Sequence, residues 1–267
     1  MLESSREVKS FSAVATAPCH KEAALMVYSI RQFYQCPILI ITDEETQAYL
    51  RQFNFEDVVC RPEATKDHLA DAEKAISHVK KQNTFHNRGA IYKKMDAIDW
   101  GVSDCGNTMF LDADITLVRS IHRSITHPVM LSPHHHTPNR QKENHKYGGF
   151  NAGYVFTSEP SLADYWREIY LHRSSFYEQQ GMALLFEDFD VGKFDKFHNI
   201  GFWRNTDPQI PELPFSFGLT RSLHCHFDKA AYRNADDGLK TAYDKWNLFW
   251  RRQLPPKLNS FIKDVGI

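Results

Sequence analysis

Apolar and polar positions along the chain follow two periods, and the switching between them predicts a strand-helix-strand order. Phe11 to Ala17 is a short apolar stretch that Pro18-Cys19-His20 interrupts. From Glu22 to Tyr34 the apolar residues Ala23, Met26, Val27, Ile30 and Tyr34 recur at helical spacing. Cys36 to Thr42 is a continuous apolar run, the pattern of a strand buried on both faces. Glu44 to Gln52 reads as a helix and Val58-Val59-Cys60 as a third short strand. Ala70 to Lys81 and Gly89 to Trp100 read as further helices, the second carrying Lys93 and Lys94. A turn-like stretch, Ser103-Asp104-Cys105-Gly106-Asn107, then leads into Met109-Phe110-Leu111-Asp112-Ala113-Asp114-Ile115-Thr116-Leu117-Val118. This alternation predicts an α/β fold, a mostly parallel central sheet flanked by helices with right-handed crossovers. Ligands of such sheets bind past the carboxyl ends of the strands. Those ends are Pro18 to His20, Asp43 and the Asp112/Asp114 pair.

The acidic pair is where the chemistry is expected. If the strand stays extended through Asp114, both carboxylates point to one side. Carboxylates are rarely buried unpaired, so such a pair calls for a cation or a reaction. Oxygen ligands of this kind suit Mg2+ or Mn2+, and an added imidazole shifts the preference towards Mn2+. Near the other end stands Leu223-His224-Cys225-His226-Phe227-Asp228-Lys229, whose two histidines alternate and share a face. Either can complete the site. Asn151 lies between Gly148-Gly149 and Gly153, where a backbone can approach a ligand closely. Ser132 to Lys146 is a long polar segment that reads as an acceptor-side or lid loop, with His134, His135, His136 and Arg140 as contacts.

Composition narrows the partners. The 267 residues suffice for a full core, and 32 Lys plus Arg against 33 Asp plus Glu give no reason to expect nucleic acid. Five scattered cysteines without a CxxC suggest reduced thiols in the cytoplasm. Met1 to Ser12 is polar, with no secretory signal, and no apolar run approaches the ~20 residues of a spanning helix. The expectation is a soluble protein. Trp246, Phe249 and Trp250, followed by Arg251 and Arg252, form a helical aromatic stripe. It suits the core or, as a peripheral contact, the inner face of an anionic membrane.

In this order the motifs resemble the nucleotide-diphospho-sugar transferases of the GT-A fold, in particular the glycogenin-like and bacterial galactosyltransferase group. The carriers are the lysine-bearing helix, Leu111-Asp112-Ala113-Asp114, Tyr147-Gly148-Gly149-Phe150-Asn151-Ala152-Gly153-Tyr154-Val155-Phe156, Phe176-Tyr177-Glu178-Gln179-Gln180 and Leu223 to Lys229. They cover residues 11–230. The resemblance implies a single GT-A catalytic domain over 1–267, with a nucleotide-sugar half (1–118) and an acceptor half with a helical tail (119–267). It implies metal-dependent transfer of a sugar from a nucleotide-sugar, UDP-sugar favoured, to a glycan or lipid-linked acceptor. Retention is favoured over inversion.

The roles it implies are these. Asp112 and Asp114 hold Mn2+ (or Mg2+) together with His224 or His226. Ala17, His20, Lys94, Asp112, Asn151, Gly153 and Lys229 bind the donor. Gln179 or Gln180 lies beneath the anomeric carbon of a retaining enzyme, whereas an inverting one would use Asp188 or Asp190 as general base. The group's closing His-x-x-Gly-x-x-Lys-Pro-Trp motif is absent, and His226-Phe227-Asp228-Lys229-Ala230-Ala231-Tyr232 stands instead. Two rivals remain. Asp112-Ala-Asp-Ile-Thr116 also resembles the haloacid-dehalogenase phosphatases, with Asp112 as nucleophile. The other rival is a non-catalytic nucleotide-sugar-binding module.

Overall fold

In the computed structural model, which describes residues 7–64, 88–135, 144, 148–174, 178–204, 219–228, 236–252 and 254–267, the apolar runs become strands. They are Phe11–Ala15 (β1), Ile38–Thr42 (β2), Val58–Arg61 (β3), Thr108–Leu111 (β4), Ile115–Leu117 (β5), Val129–Pro133 (β6), Phe150–Thr157 (β7) and Val191–Lys193 (β8). All but β5 form one seven-stranded sheet in the order β3-β2-β1-β4-β7-β6-β8. The first four are parallel, β7 runs against β4 and β6, and β8 is parallel to β6. β5 leaves this sheet and joins Ile200–Gly201 (β9) and Ser222–His224 (β10) in a three-stranded one.

Seven helices are described: His20–Arg31 (α1), Glu44–Arg51 (α2), Arg88–Cys105 (α3), Leu162–His172 (α4), Leu185–Asp188 (α5), Asp237–Arg251 (α6) and Pro256–Asp264 (α7). Both faces of the large sheet are covered, as continuous apolar strands require. Ile38, Ile40, Met109 and Leu111 pack with Ala23 to Ile30 of α1 and with Trp246, Trp250 and Leu258. Leu39, Ile41 and Phe110 point the other way, onto Ile91 to Trp100 of α3 and onto Trp166 of α4. The alternation inside each run therefore divides two cores.

Two expectations need correction. The turn expected at Ser103 to Cys105 is the last turn of α3. Its polar Ser103 and Asp104 are merely the exposed side of the helix. Gly106 is the true stop: at φ +83° it donates its N–H to Val102 O (2.7 Å), a glycine helix end. The extended path through Asp114 is also absent. Ile115 N–H donates to Asp112 O (3.0 Å), so Ala113 and Asp114 form a turn that carries the chain from one sheet to the other. The aromatic stripe, for which the core was one expected place, packs there: Trp246 and Trp250 are 7% and 3% exposed and meet edge-to-face at 5.6 Å. Among the described residues no helix is long and apolar enough to cross a membrane. The helix expected at Ala70 to Lys81, and His136, Arg140, Phe176, Tyr177 and Lys229, lie outside the described residues.

The packing of α3 on β4 is tight enough to test. A Cβ on Gly101 would lie 2.6 Å from both Cβ and Oγ1 of Thr108. Gly101→Ala gains about 1 kcal/mol in helix propensity but overpacks a buried contact at a cost of about 1–3 kcal/mol. The overpacking wins, and urea unfolding is expected to show a net loss of stability.

Candidate metal centre

The acidic turn follows β4, which lies beside β1 in the order β3-β2-β1-β4. The chain winds outward from β1 in both directions, so the carboxyl ends of β1 and β4 flank the topological switch point. Asp112 is fixed there by its backbone, donating N–H to Gly153 O of β7 (2.9 Å). Its carboxylate lies directly over the bare Cα of Gly153, where a Cβ would collide with it. Gly153→Ala is thus expected to displace Asp112 and weaken Mn2+ binding about 10- to 100-fold, readable by calorimetric titration.

Lys94 reaches the same carboxylate from α3, with Nζ 2.9 Å from Asp112 Oδ1 and 3.2 Å from Glu178 Oε1. Burial alone would lower the Lys94 pKa, but Asp112 and Glu178 outweigh it and hold the ammonium above its ordinary range. The lysine is permanently charged and joins two carboxylates from distant parts of the chain. Lys93, its neighbour, turns away to Asp96 (2.9 Å).

Asp114 is 8% exposed and faces both histidines. Antiparallel pairing of β10 with β5 sets His224 opposite Ile115, and Cys225 N–H donates to Asp114 O (3.1 Å). Asp114 Oδ2 is thereby 3.0 Å from His224 Nε2 and 3.1 Å from His226 Nδ1. Glu22 of α1 approaches the same nitrogen, its Oε2 3.5 Å from His226 Nδ1. Burial pushes the Asp114 pKa up, yet the two imidazoles outweigh it and hold the carboxyl well below the usual carboxylate range. Burial likewise lowers His226, and Asp114 and Glu22 overcome this to raise it to about 9. For Glu22 desolvation wins and its pKa rises.

Ligand atoms of Asp112, Asp114 and His224 all lie within 4.8 Å of one another. His224 belongs to the three-residue group, while His226 Nδ1 faces both Asp114 and Glu22. The donor set, two carboxylates and one imidazole, fits a divalent cation of the Mg2+/Mn2+ type. The charge balance points the same way. Asp112, Asp114, Glu178 and Glu22 converge with Lys94 as the lysine among them, and Oε2 of both glutamates is buried without a hydrogen-bond partner.

The remaining expected residues fall into three groups. Asn151, Gly153 and Gln179 line the same side of β7, with Asn151 Oδ1 accepting from Gly153 N–H (3.0 Å) and Gln179 Oε1 from Ala152 N–H (3.4 Å). Gly148, at φ +91°, packs against the Gln179 backbone, and Gln180 follows in the same 3-10 turn. Ala17 and His20 form the turn after β1. Ala17 N–H donates to Asp43 Oδ2 (2.7 Å), and the His20 ring meets Tyr49 edge-on at 4.4 Å. Cys19 between them is pushed up to about 12, chiefly by burial and also by the Glu22 and Asp114 carboxylates, so this turn borders the acids. Asp188 and Asp190 stand apart: Asp188 accepts from the Tyr165 hydroxyl, and Asp190, 71% exposed at its side chain, is 3.9 Å from His127. Of the loop residues, His134 is buried, with Nδ1 3.0 Å from Gly148 O.

Three residues of the cluster escaped the sequence reading of the site. Glu178 was weighed only as half of an acid-Gln pair, and its contact with Lys94 makes it the acid. Glu22 had a signal, since it stands four residues before Met26 on the apolar face of α1. Asn199, described below, gave none beyond a polar residue before Ile200-Gly201.

No family model matches the sequence, and no curated protein matches it. Solved structures do. The galactosyltransferase LgtC, in complex with donor and acceptor sugar analogs, is 13% identical and superposes with a TM-score of 0.52, covering 92% of this chain and 100% of that one. The apo structure of the bifunctional glycosyltransferase WbbM is 12% identical with a TM-score of 0.52, covering 92% of this chain and 52% of that one. At such identity the likeness is one of architecture, and together with the strand order and the acidic turn after β4 it identifies the chain as a GT-A fold.

Proposed function

We propose that this protein is a metal-dependent glycosyltransferase that moves a sugar from a nucleotide-sugar to a glycan or lipid-linked acceptor. The observation that carries the reading is the Asp112-Asp114-His224 group at the switch point of a GT-A fold. LgtC, by its description, binds donor and acceptor sugar analogs, and this supports the same two ligand classes here. A bound Mn2+ or Mg2+ would act as a Lewis acid on the diphosphate leaving group. UDP is the favoured nucleotide and retention the favoured outcome, as the resemblance in the sequence implies. Residues 1–118 form the donor half in this reading and 119–267 the acceptor half.

The chain's own groups have separable tasks. Lys94 holds Asp112 and Glu178 at fixed positions, so the pocket is organised before the donor arrives. Asn151 has its Oδ1 engaged by the protein, which leaves its amide N–H groups for a sugar hydroxyl. Gln179 presents its amide beside β7, where a retaining enzyme needs a weak polar group near the anomeric carbon. Ala17, His20 and Lys229 remain proposed donor contacts. The phosphatase alternative needs a second acid pair beside Asp112, and Asp188 and Asp190 face Tyr165 and His127 instead. The described cysteines are free thiols, which suits the cytoplasm.

Calorimetric titration of UDP and GDP with Mn2+ present, then with a chelator, tests the donor site. UDP binding that requires Mn2+ and exceeds GDP binding is expected. Failure of both nucleotides to bind with Mn2+ present would overturn the reading.

A further inference from the structure

A chain of polar atoms runs unbroken from β7 to the metal group. Gly153 N–H donates to Asn151 Oδ1 at 3.0 Å. The same oxygen is 3.0 Å from Asn199 Nδ2, which also donates to Ser132 Oγ (3.1 Å). The other end of the Asn199 amide, Oδ1, is 2.9 Å from His224 Nδ1. Asn199 and Ser132 are completely buried. The Asn199 backbone is held at φ +51°, a conformation asparagine tolerates, with its N–H on Ser222 Oγ (2.7 Å).

The polarity of this chain is set at its first link. A backbone N–H can only donate, so the Asn151 atom facing it is the oxygen. An oxygen there can only accept, so Asn199 must present its amide nitrogen. Its carbonyl oxygen is then turned to His224, and His224 Nδ1 must carry the proton. A flipped Asn199 would set two oxygens face to face and leave Ser132 facing a different partner in a buried site. With Nδ1 protonated, the ring nitrogen available to a metal is Nε2, the one that faces Asp114.

We propose that Asn199 is a positioning residue that fixes the His224 tautomer with Nε2 as the metal-binding nitrogen and couples it to Asn151. This rests on the reading of Asp112, Asp114 and His224 as a cation site. Holding the second nitrogen of a ligating histidine is a general way of orienting it, and loss of the partner typically costs 10–100-fold in affinity. The coupling has a further meaning: Asn151, the proposed sugar contact, and His224, the proposed ligand, share one fixed amide.

The test uses the full chain and Mn2+ alone, followed by electron paramagnetic resonance. Asn199→Gly removes the amide while accepting the positive φ. Thermal melts confirm that the variant folds. The expected result is Mn2+ binding weakened about 10- to 100-fold in Asn199→Gly. In parallel, two-bond 1H–15N spectra, with His224 identified through His224→Gln, read, without any metal, whether Nδ1 carries a proton. Wild type should show Nδ1 protonated, and Asn199→Gly should lose that preference. Unchanged Mn2+ affinity in Asn199→Gly, or an Nδ1 without a proton in wild type, would each overturn the proposal. If wild type binds no Mn2+, the cation-site reading has failed, and the spectra still decide whether Asn199 sets the tautomer.

Discussion

Asp114→Asn is expected to lower kcat/KM for a UDP-sugar by about 10³-fold or more, the scale of losing a main electrostatic contact to a developing charge. The substitution preserves volume and one oxygen, so shape is nearly unchanged. It removes the charge that His224 and His226 share. Initial rates of UDP-sugar hydrolysis at saturating Mn2+ measure the effect, and activity within about tenfold of wild type would be too small for a metal ligand. The same carboxylate also stabilises the metal-free fold. Its pKa is lowered on folding, so its contribution is fully present above the ordinary carboxylate pKa and is lost as pH falls through the folded value. Wild type should lose stability on acidification, and Asp114→Asn should lose less, having lost that contribution already at neutral pH.

Lys94→Met is expected to be the most destabilising single change in the site. Methionine fills the lysine stem but leaves Asp112 and Glu178 facing each other without a cation. Breaking a buried ion pair from one side costs about 3–5 kcal/mol, because the remaining charge is left unpaired. Urea unfolding without metal measures this directly. Adding Glu178→Gln to Lys94→Met removes the abandoned charge, so the double variant should recover part of the loss, a coupling a double-mutant cycle can read. Mn2+ should also stabilise Lys94→Met more than wild type, since a cation at Asp112 replaces what was removed. Equal stabilisation of the two would separate Lys94 from the metal group and sink the shared-charge account.

Much of this site was legible because the chemistry is written in residue type. Two aspartates one residue apart after an apolar run, and two histidines in alternation, announce themselves without a structure. β2 and β4 were equally plain, since each carries an unbroken run of apolar residues. Helix α3 ran past its expected end because Ser103 and Asp104 suit an exposed helical face as well as a turn, and only Gly106 forces the stop. The bend at Ala113-Asp114 was hidden for a related reason: alanine is at home in either conformation. Glu22 and Asn199 were missed because their roles exist only across the fold. The partner of Glu22 is His226, and those of Asn199 lie on β6, β7 and β10. No local pattern encodes such an arrangement.

The bend after β4 has a mechanical consequence. Asp112 is bonded to the large sheet through Gly153, while His224 belongs to the small one. An ion held by both would therefore act as a rivet between two sheets that meet at the Ala113-Asp114 turn. The histidine half arrives late in the sequence, so the rivet can close only after the small sheet has docked. Binding strength would then gauge that docking. Any change that loosens β10 should release the ion even with every ligand intact.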